Sequence, residues 1–349
     1  MQKTTVLTLG VAAAVAAGTI ALVLLNSRGK FLADTSAAVD INNAGQVVGT
    51  AKTPDKKSHA FLWSPATGMR DLGVPKDDVE SYGIGITDDG RVVGSAVHSR
   101  QRYTIAEHTF VWSPVTGMRN LGELNGPGHP VHVGGMNTAG ELAGVSPPDG
   151  KERHAFLWSP STGIHNLGTL GGKDSWASGI NTAGQVVGMA EASNRGRYAF
   201  LWSASTGMQD INPYGCPTSW ATGINDAGQV VGNYWVKGEN HAFLWTASTG
   251  MQDLGTLGGT ESGATDINNA GQVVGTSRTS DKKYHAFLWS ASTGMQDLGL
   301  ADGIASRALA INDAGQVVGE VSSNQGGTYA FLWSASTGMM NLETGKVVK

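Results

Sequence analysis

The sequence predicts an all-β protein, a seven-bladed β-propeller of four-stranded antiparallel blades preceded by one N-terminal hydrophobic helix. Three observations carry this. A Phe-Leu-Trp or Phe-Val-Trp core recurs seven times, closing on Trp63, Trp112, Trp158, Trp202, Trp245, Trp289 and Trp333, at spacings of 49, 46, 44, 43, 44 and 44 residues. Between these cores runs a second signature, Ile-Asn-Asp-Ala-Gly-Gln-Val-Val-Gly at residues 224–232, whose turn glycine returns at Gly45, Gly90, Gly140, Gly184, Gly228, Gly271 and Gly315. Outside the N-terminal segment no apolar period of 3.6 residues appears, which excludes a helical solenoid. Four short strands in each period of about 44 residues, seven times over, is the arithmetic of a propeller.

The N-terminal segment comes first. Residues 6–25 are nearly all apolar, with Lys3 before them and Arg28 and Lys30 after. Twenty such residues suffice to span a bilayer as a helix. Residues 1–30 are therefore set apart as an uncleaved signal anchor or a cleaved signal peptide, and the chain is expected to be exported, extracellular or periplasmic. The remainder, 31–349, is expected to form one propeller with repeats at about 36–73, 81–122, 131–168, 175–212, 219–255, 262–299 and 306–342.

Within the fifth repeat the strands are read at residues 220–225, 229–233, 241–245 and 251–255. The second and third are rich in β-branched or aromatic residues, as short buried strands are. Asn-Asp-Ala-Gly joins the first pair: the Asn side chain bonds its own backbone, and Gly supplies the left-handed residue that closes a hairpin. Ser-x-x-Thr-Gly joins the second pair, and Pro65, Pro114 and Pro160 stand where a type I turn favours a fixed φ. His-Ala-Phe-Leu-Trp is apolar almost throughout, which fits a strand covered on both faces. Phe and Trp fall on one face and Ala and Leu on the other, a large surface ready to stack on a small one. Two closures fit the repeats: the segment near residues 36–42 completes the last blade, or blades one and seven meet by packing.

The motifs His-Ala-Phe-Leu-Trp and Ile-Asn-x-Ala-Gly-Gln-Val-Val-Gly resemble the HAF repeat of probable extracellular bacterial proteins, from residue 36 to residue 342. The resemblance implies export and a repeat fold, and assigns no catalytic residues. Repeats two and three depart most: Thr109 and Val111 replace Ala and Leu, and Glu141-Leu-Ala replaces Gln-Val-Val.

Composition narrows the function. Charged residues are 15% and Gly is 50 of 349, which suits short strands and tight turns. A net charge of -4 and a pI near 6.1 argue against a general nucleic-acid binder. The single cysteine, Cys216, allows no intramolecular disulfide. No P-loop, nucleophile elbow or His-Glu-x-x-His motif occurs, so no catalytic residue, cofactor or metal is assigned. The residues preceding Ala-Phe-Leu-Trp (His59, His108, His154, Tyr198, His241, His285, Tyr329) are read as structural, because Tyr replaces the imidazole's hydrogen bond but ligates zinc poorly.

A variable position is more informative. Aligned on Ile-Asn, Ala37, Tyr82, His132, Trp176, Trp220, Gly263 and Arg307 occupy one register while their neighbours stay small. Repeats two to five carry a ring there. The expected ligand-binding residues are therefore Tyr82, His132, Trp176, Trp220 and Arg307. They lie toward the end of the ring that carries the variable loops, including residues 95–107 and 125–130, and variable loops on a rigid scaffold are where binding resides. The chain is expected to be a ligand-binding module rather than an enzyme, most favourably for glycans, since aromatic faces stack on sugar rings. The alternatives are a scaffold for cell-surface or extracellular proteins and a propeller enzyme such as a polysaccharide lyase or hydrolase.

Overall fold

The computed structural model describes residues 31–101, 104–122, 131–146, 152–212 and 216–348, and the expected N-terminal helix lies outside them. The described chain forms seven sheets whose strands follow one another in sequence order, four strands to a sheet, with a fifth in the last. No helix occurs among the described residues. The chain is an all-β seven-bladed propeller.

Blade five shows how the sequence builds a sheet. Its strands are Ser219–Ile224, Val230–Val236, Glu239–Thr246 and Gly250–Asp253. The first hairpin closes as expected: Gly228 has φ +74, its N–H donates to the Asn225 carbonyl, and Gln229 N–H donates to the Asn225 side chain. A second glycine is held by space rather than by φ. A Cβ on Gly232 would lie 2.2 Å from the Trp220 carbonyl oxygen and 2.8 Å from the Phe243 ring, so the Val-Val-Gly glycine lets the third-strand ring lie flat across the sheet.

The seven strand-three phenylalanines, Phe61, Phe110, Phe156, Phe200, Phe243, Phe287 and Phe331, are fully buried and form the core. Each blade presents its large face to the small face of the blade before it. Phe287 and Trp289 of blade six pack on Val231, Ala242 and Leu244 of blade five, and Trp202 of blade four packs on Ala143 and Ala155 of blade three. The tryptophans follow less strictly. Trp202 and Trp289 are buried, but Trp245 keeps a partly exposed edge at the same register beside the strand three–four turn.

The first strand of every blade is innermost, since first strands pack on one another around the axis. Each carries a bulge that leaves one residue out of the ladder; in blades four, five and six these are Ser178, Thr222 and Thr265. The bulge aims a hydroxyl across the blade boundary: Ser178, Thr222 and Thr265 donate to the carbonyls of Ala221, Ala264 and Ala308 at 2.8, 3.0 and 2.9 Å.

Two more hydrogen bonds recur between blades. The N–H of the third-strand Ala donates to a buried serine that opens the next blade, as in Ala242 to Ser262 (3.0 Å) and Ala286 to Ser306 (2.9 Å). The hairpin Asn also reaches forward: Asn225 Nδ2 donates to the Asn268 carbonyl and Asn268 Nδ2 to the Asn312 carbonyl, both at 3.0 Å. Ring closure uses the same pair, Ala330 N–H to Ser36 and Asn312 Nδ2 to the Asn42 carbonyl. The strand Ala37–Ile41 stays in blade one, so blades one and seven meet by packing rather than by sharing a strand. A bridge between Thr35 and Thr328 supplements this seam, as does the Glu343 carboxylate, which accepts from Asp34 N–H and from the Ser36 hydroxyl.

Candidate functional site

The innermost strands run from the end carrying the strand two–three loops to the end carrying the tight hairpins, and the two ends differ in chemistry. At the hairpin end a cavity of about 170 Å³ lies on the axis, lined by Asn42, Asn43, Asp88, Asn225, Asp226, Asn268, Asn269, Asp313 and Asp266 among others. Its walls are tied blade to blade. Asp313 N–H donates to Asn43, Asn269 N–H to Asp313 and Asp226 N–H to Asn269. Two carboxylates stand at one inner register, where blades two to five have glycine. Asp40 accepts from Ile41 and Ile86 N–H, and Asp266 accepts from Ile267 and Ile311 N–H, at 2.8–2.9 Å. Enclosure by the ring pushes Asp40 up to about 6 and Asp266 up to about 7, the charge of Asp40 adding to the second shift. Each carboxylate accepts one bond from the next residue of its own strand and one from an amide of the following blade, so this end is framework.

The opposite end holds the variable position. Tyr82, Trp176, Trp220 and Arg307 lie within the innermost strands of blades two, four, five and seven, and His132 opens that of blade three. The first strands of blades two to five are neighbours in turn, which brings Tyr82, His132, Trp176 and Trp220 onto consecutive walls of the channel. Arg307 stands apart from them, separated by Gly263 of blade six. The preceding residue in each case is the buried serine of the blade junction, or Val131 in blade three, and the following residue is buried in most blades. The ring-bearing position itself is not buried: His132 and Arg307 are exposed, and Tyr82, Trp176 and Trp220 are partly exposed.

Local contacts orient these side chains. Tyr82 Oη donates to Glu80 at 3.0 Å. The Arg197 guanidinium lies 5.4 Å from the centre of the Trp176 ring, close enough for a cation–π contact. Arg307 faces Glu320 across its hairpin at 3.8 Å. Gly263 is explained by its neighbours: a Cβ there would come 2.7 Å from Asn233 Oδ1, and Asn233 and Asn240 cross from blade five to donate to the Ala264 and Ser262 carbonyls. The oxygens of these two side-chain amides, Asn233 Oδ1 and Asn240 Oδ1, are buried without a hydrogen-bond partner. Asn233 is the cross-strand partner of Trp220, so the unpaired acceptors lie beside the aromatic arc. Periodicity hides this pair, because both residues are blade-specific replacements of otherwise small or variable positions.

The histidines before Ala-Phe-Leu-Trp lie on third strands, away from the axis. His59, His241 and His285 bond Asp71, Asp253 and Asp297 of their own fourth strands, and His154 bonds Asn166. Tyr329 donates to Asp302. Cys216 points its thiol at the Thr218 and Trp235 carbonyls. A groove of about 770 Å³ runs along the seam of blades one and seven, lined by Phe31, Trp63, Met69, Leu332 and Met340 among others, far from the variable position.

No protein-family model matches the sequence, and no curated protein matches it. Solved structures do. The β-propeller domain of the trilobed protease from Pyrococcus furiosus superposes with a TM-score of 0.59 at 11% identity, covering 89% of this chain and 96% of that one. A puromycin-hydrolyzing peptidase from Mycobacterium tuberculosis gives 0.62 at 11% identity over 92% of this chain, which spans 54% of that protein. TolB from Acinetobacter baumannii gives 0.50 at 14% identity, over 86% and 78% of the two chains. At such identities the likeness is one of fold: this chain is a β-propeller.

Proposed function

We propose that this chain is an exported HAF-repeat propeller that binds a glycan at the variable end of its channel. The observation that carries the reading is the arc of Tyr82, His132, Trp176 and Trp220, set at one register on four consecutive innermost strands and left partly or wholly exposed between buried neighbours. A ring needed only to fill space between blades would be buried like the phenylalanines of the third strands. Flat rings with few rotatable bonds hold a sugar chain at little ordering cost. Arg307, across the channel, would add a charged contact. Export and tethering rest on the apolar run at residues 6–25.

The test is a glycan array followed by titration of the best hit. Losing a well-packed aromatic anchor at an interface costs about 2 kcal/mol or more. Trp176→Ala and Trp220→Ala are therefore expected to weaken binding at least about thirtyfold, at about 1.4 kcal/mol per tenfold. Their melting temperatures should stay close to that of the parent chain. Unfolding of both variants at the temperature where Phe243→Ala unfolds would make the arc a packing feature and remove the reading's support.

A further inference from the structure

Blade two contains a group of side chains that the repeat pattern does not explain. Asp78 lies in the link that enters this blade, and its side chain is wholly buried, yet neither carboxylate oxygen makes a hydrogen bond. His98 Nδ1, on the second strand, stands 3.4 Å from Asp78 Oδ1 with half of its side chain exposed. His108, on the third strand, is the blade-two member of the histidine series, and it breaks that series. In blades one, three, five and six the Nδ1 atom bonds a fourth-strand Asp or Asn, whereas His108 Nδ1 is buried without a partner. One ligand atom from each of Asp78, His98 and His108 falls within 4.8 Å of the others.

We propose that Asp78, His98 and His108 bind a divalent transition-metal ion, with zinc the probe of choice. Two imidazoles and one carboxylate suit a first-row transition metal, whereas calcium and magnesium favour all-oxygen shells. Ligand atoms in a tetrahedral zinc site lie about 3.3 Å apart, given bonds of about 2.0–2.1 Å. The gap between His98 and Asp78 already matches that spacing, and the exposed His98 ring is the member free to close on the ion. The cation would neutralise the buried carboxylate and give His108 Nδ1 the partner its counterparts have. Three protein ligands leave the remaining coordination position to water or to a ligand. His59, His154, His241 and His285 are already paired and, among the described residues, belong to no such group. The proposal does not depend on glycan binding by the aromatic arc.

The full chain, stripped with a chelator and dialysed, would be titrated with Zn²⁺ by calorimetry, and Co²⁺ would be added separately to read its visible absorption. One equivalent of Zn²⁺ is expected, with a rise in melting temperature on loading because the ion binds the folded state. His98→Ala, at an exposed position, should fold normally and bind at least tenfold more weakly, and Asp78→Asn should lose the Co²⁺ bands of a nitrogen-and-oxygen site. His59→Ala should bind as the parent does. Absence of stoichiometric binding by the parent chain, or binding unchanged in both His98→Ala and Asp78→Asn, overturns the proposal.

Discussion

Phe243 and Trp245 stand two residues apart on the same face of one strand, and burial separates their roles. Phe243 is fully enclosed against the small face of blade four, whereas Trp245 keeps an open edge. Truncating a large enclosed aromatic costs about 3–5 kcal/mol, part of it the cavity left behind. Phe243→Ala should lose stability of that order in urea unfolding, and Trp245→Ala clearly less. Equal midpoints for the two variants would contradict the assignment of the core to phenylalanine. The sequence shows that Phe and Trp share a face, because alternation fixes it. It hides which ring is enclosed, because that depends on the distance from the strand three–four turn. The hairpin asparagine was half legible in the same way: its bond to its own turn follows from residue type, while its reach to the next blade's carbonyl needs the ring.

At the scale of the strand, the innermost element concentrates features that a repeat pattern conceals. Periodicity aligned its variable position without showing that it faces the axis, and the bulge at Ser178, Thr222 and Thr265 and the carboxylates at Asp40 and Asp266 answer to the curvature of the channel. The carboxylates give a testable pH dependence. Both have folded-state values raised above the ordinary 3.8, to about 6 and about 7, so the folded chain holds protons that the unfolded chain has released. Their contribution to stability is greatest below about pH 4 and is lost as pH rises through 6 to 7. Melting followed by circular dichroism should therefore give a higher midpoint at pH 5 than at pH 8, with the difference reduced in Asp266→Asn. A midpoint rising over this interval would reverse the sign and exclude the assignment.

For the whole molecule, seven blades and their strand order were legible because one unit repeats with few changes. Which strand faces the axis and how the ring closes were not, since neighbouring copies look alike whichever edge is turned inward. The departures were the more useful signal. Repeat two and the link that enters it contributed the two imidazoles and the carboxylate of the candidate metal site, a constellation invisible in sequence because Asp78, His98 and His108 lie ten or more residues apart and only one belongs to a repeated position.

The inter-blade hydrogen bonds also set the order in which junctions should fail. Six junctions combine the Ala-to-Ser and Asn-to-carbonyl bonds, the terminal seam included. The junction between blades two and three has neither residue pair: Thr109, Val131 and Thr87 occupy those positions, and among the described residues Arg91 bridges it by donating to the Thr138 carbonyl at 2.7 Å. The seam of blades one and seven is thus an ordinary junction, and the exceptional one lies between blades two and three. A circular permutant with blades one and seven linked and the chain opened instead between blades two and three should retain a native far-UV spectrum and melt close to the parent. One opened between blades four and five, where Ser219 and Asn181 make the repeated bonds, should melt lower. The ring's weakest joint is then set by three replaced side chains, Thr87, Thr109 and Val131, rather than by the terminal seam.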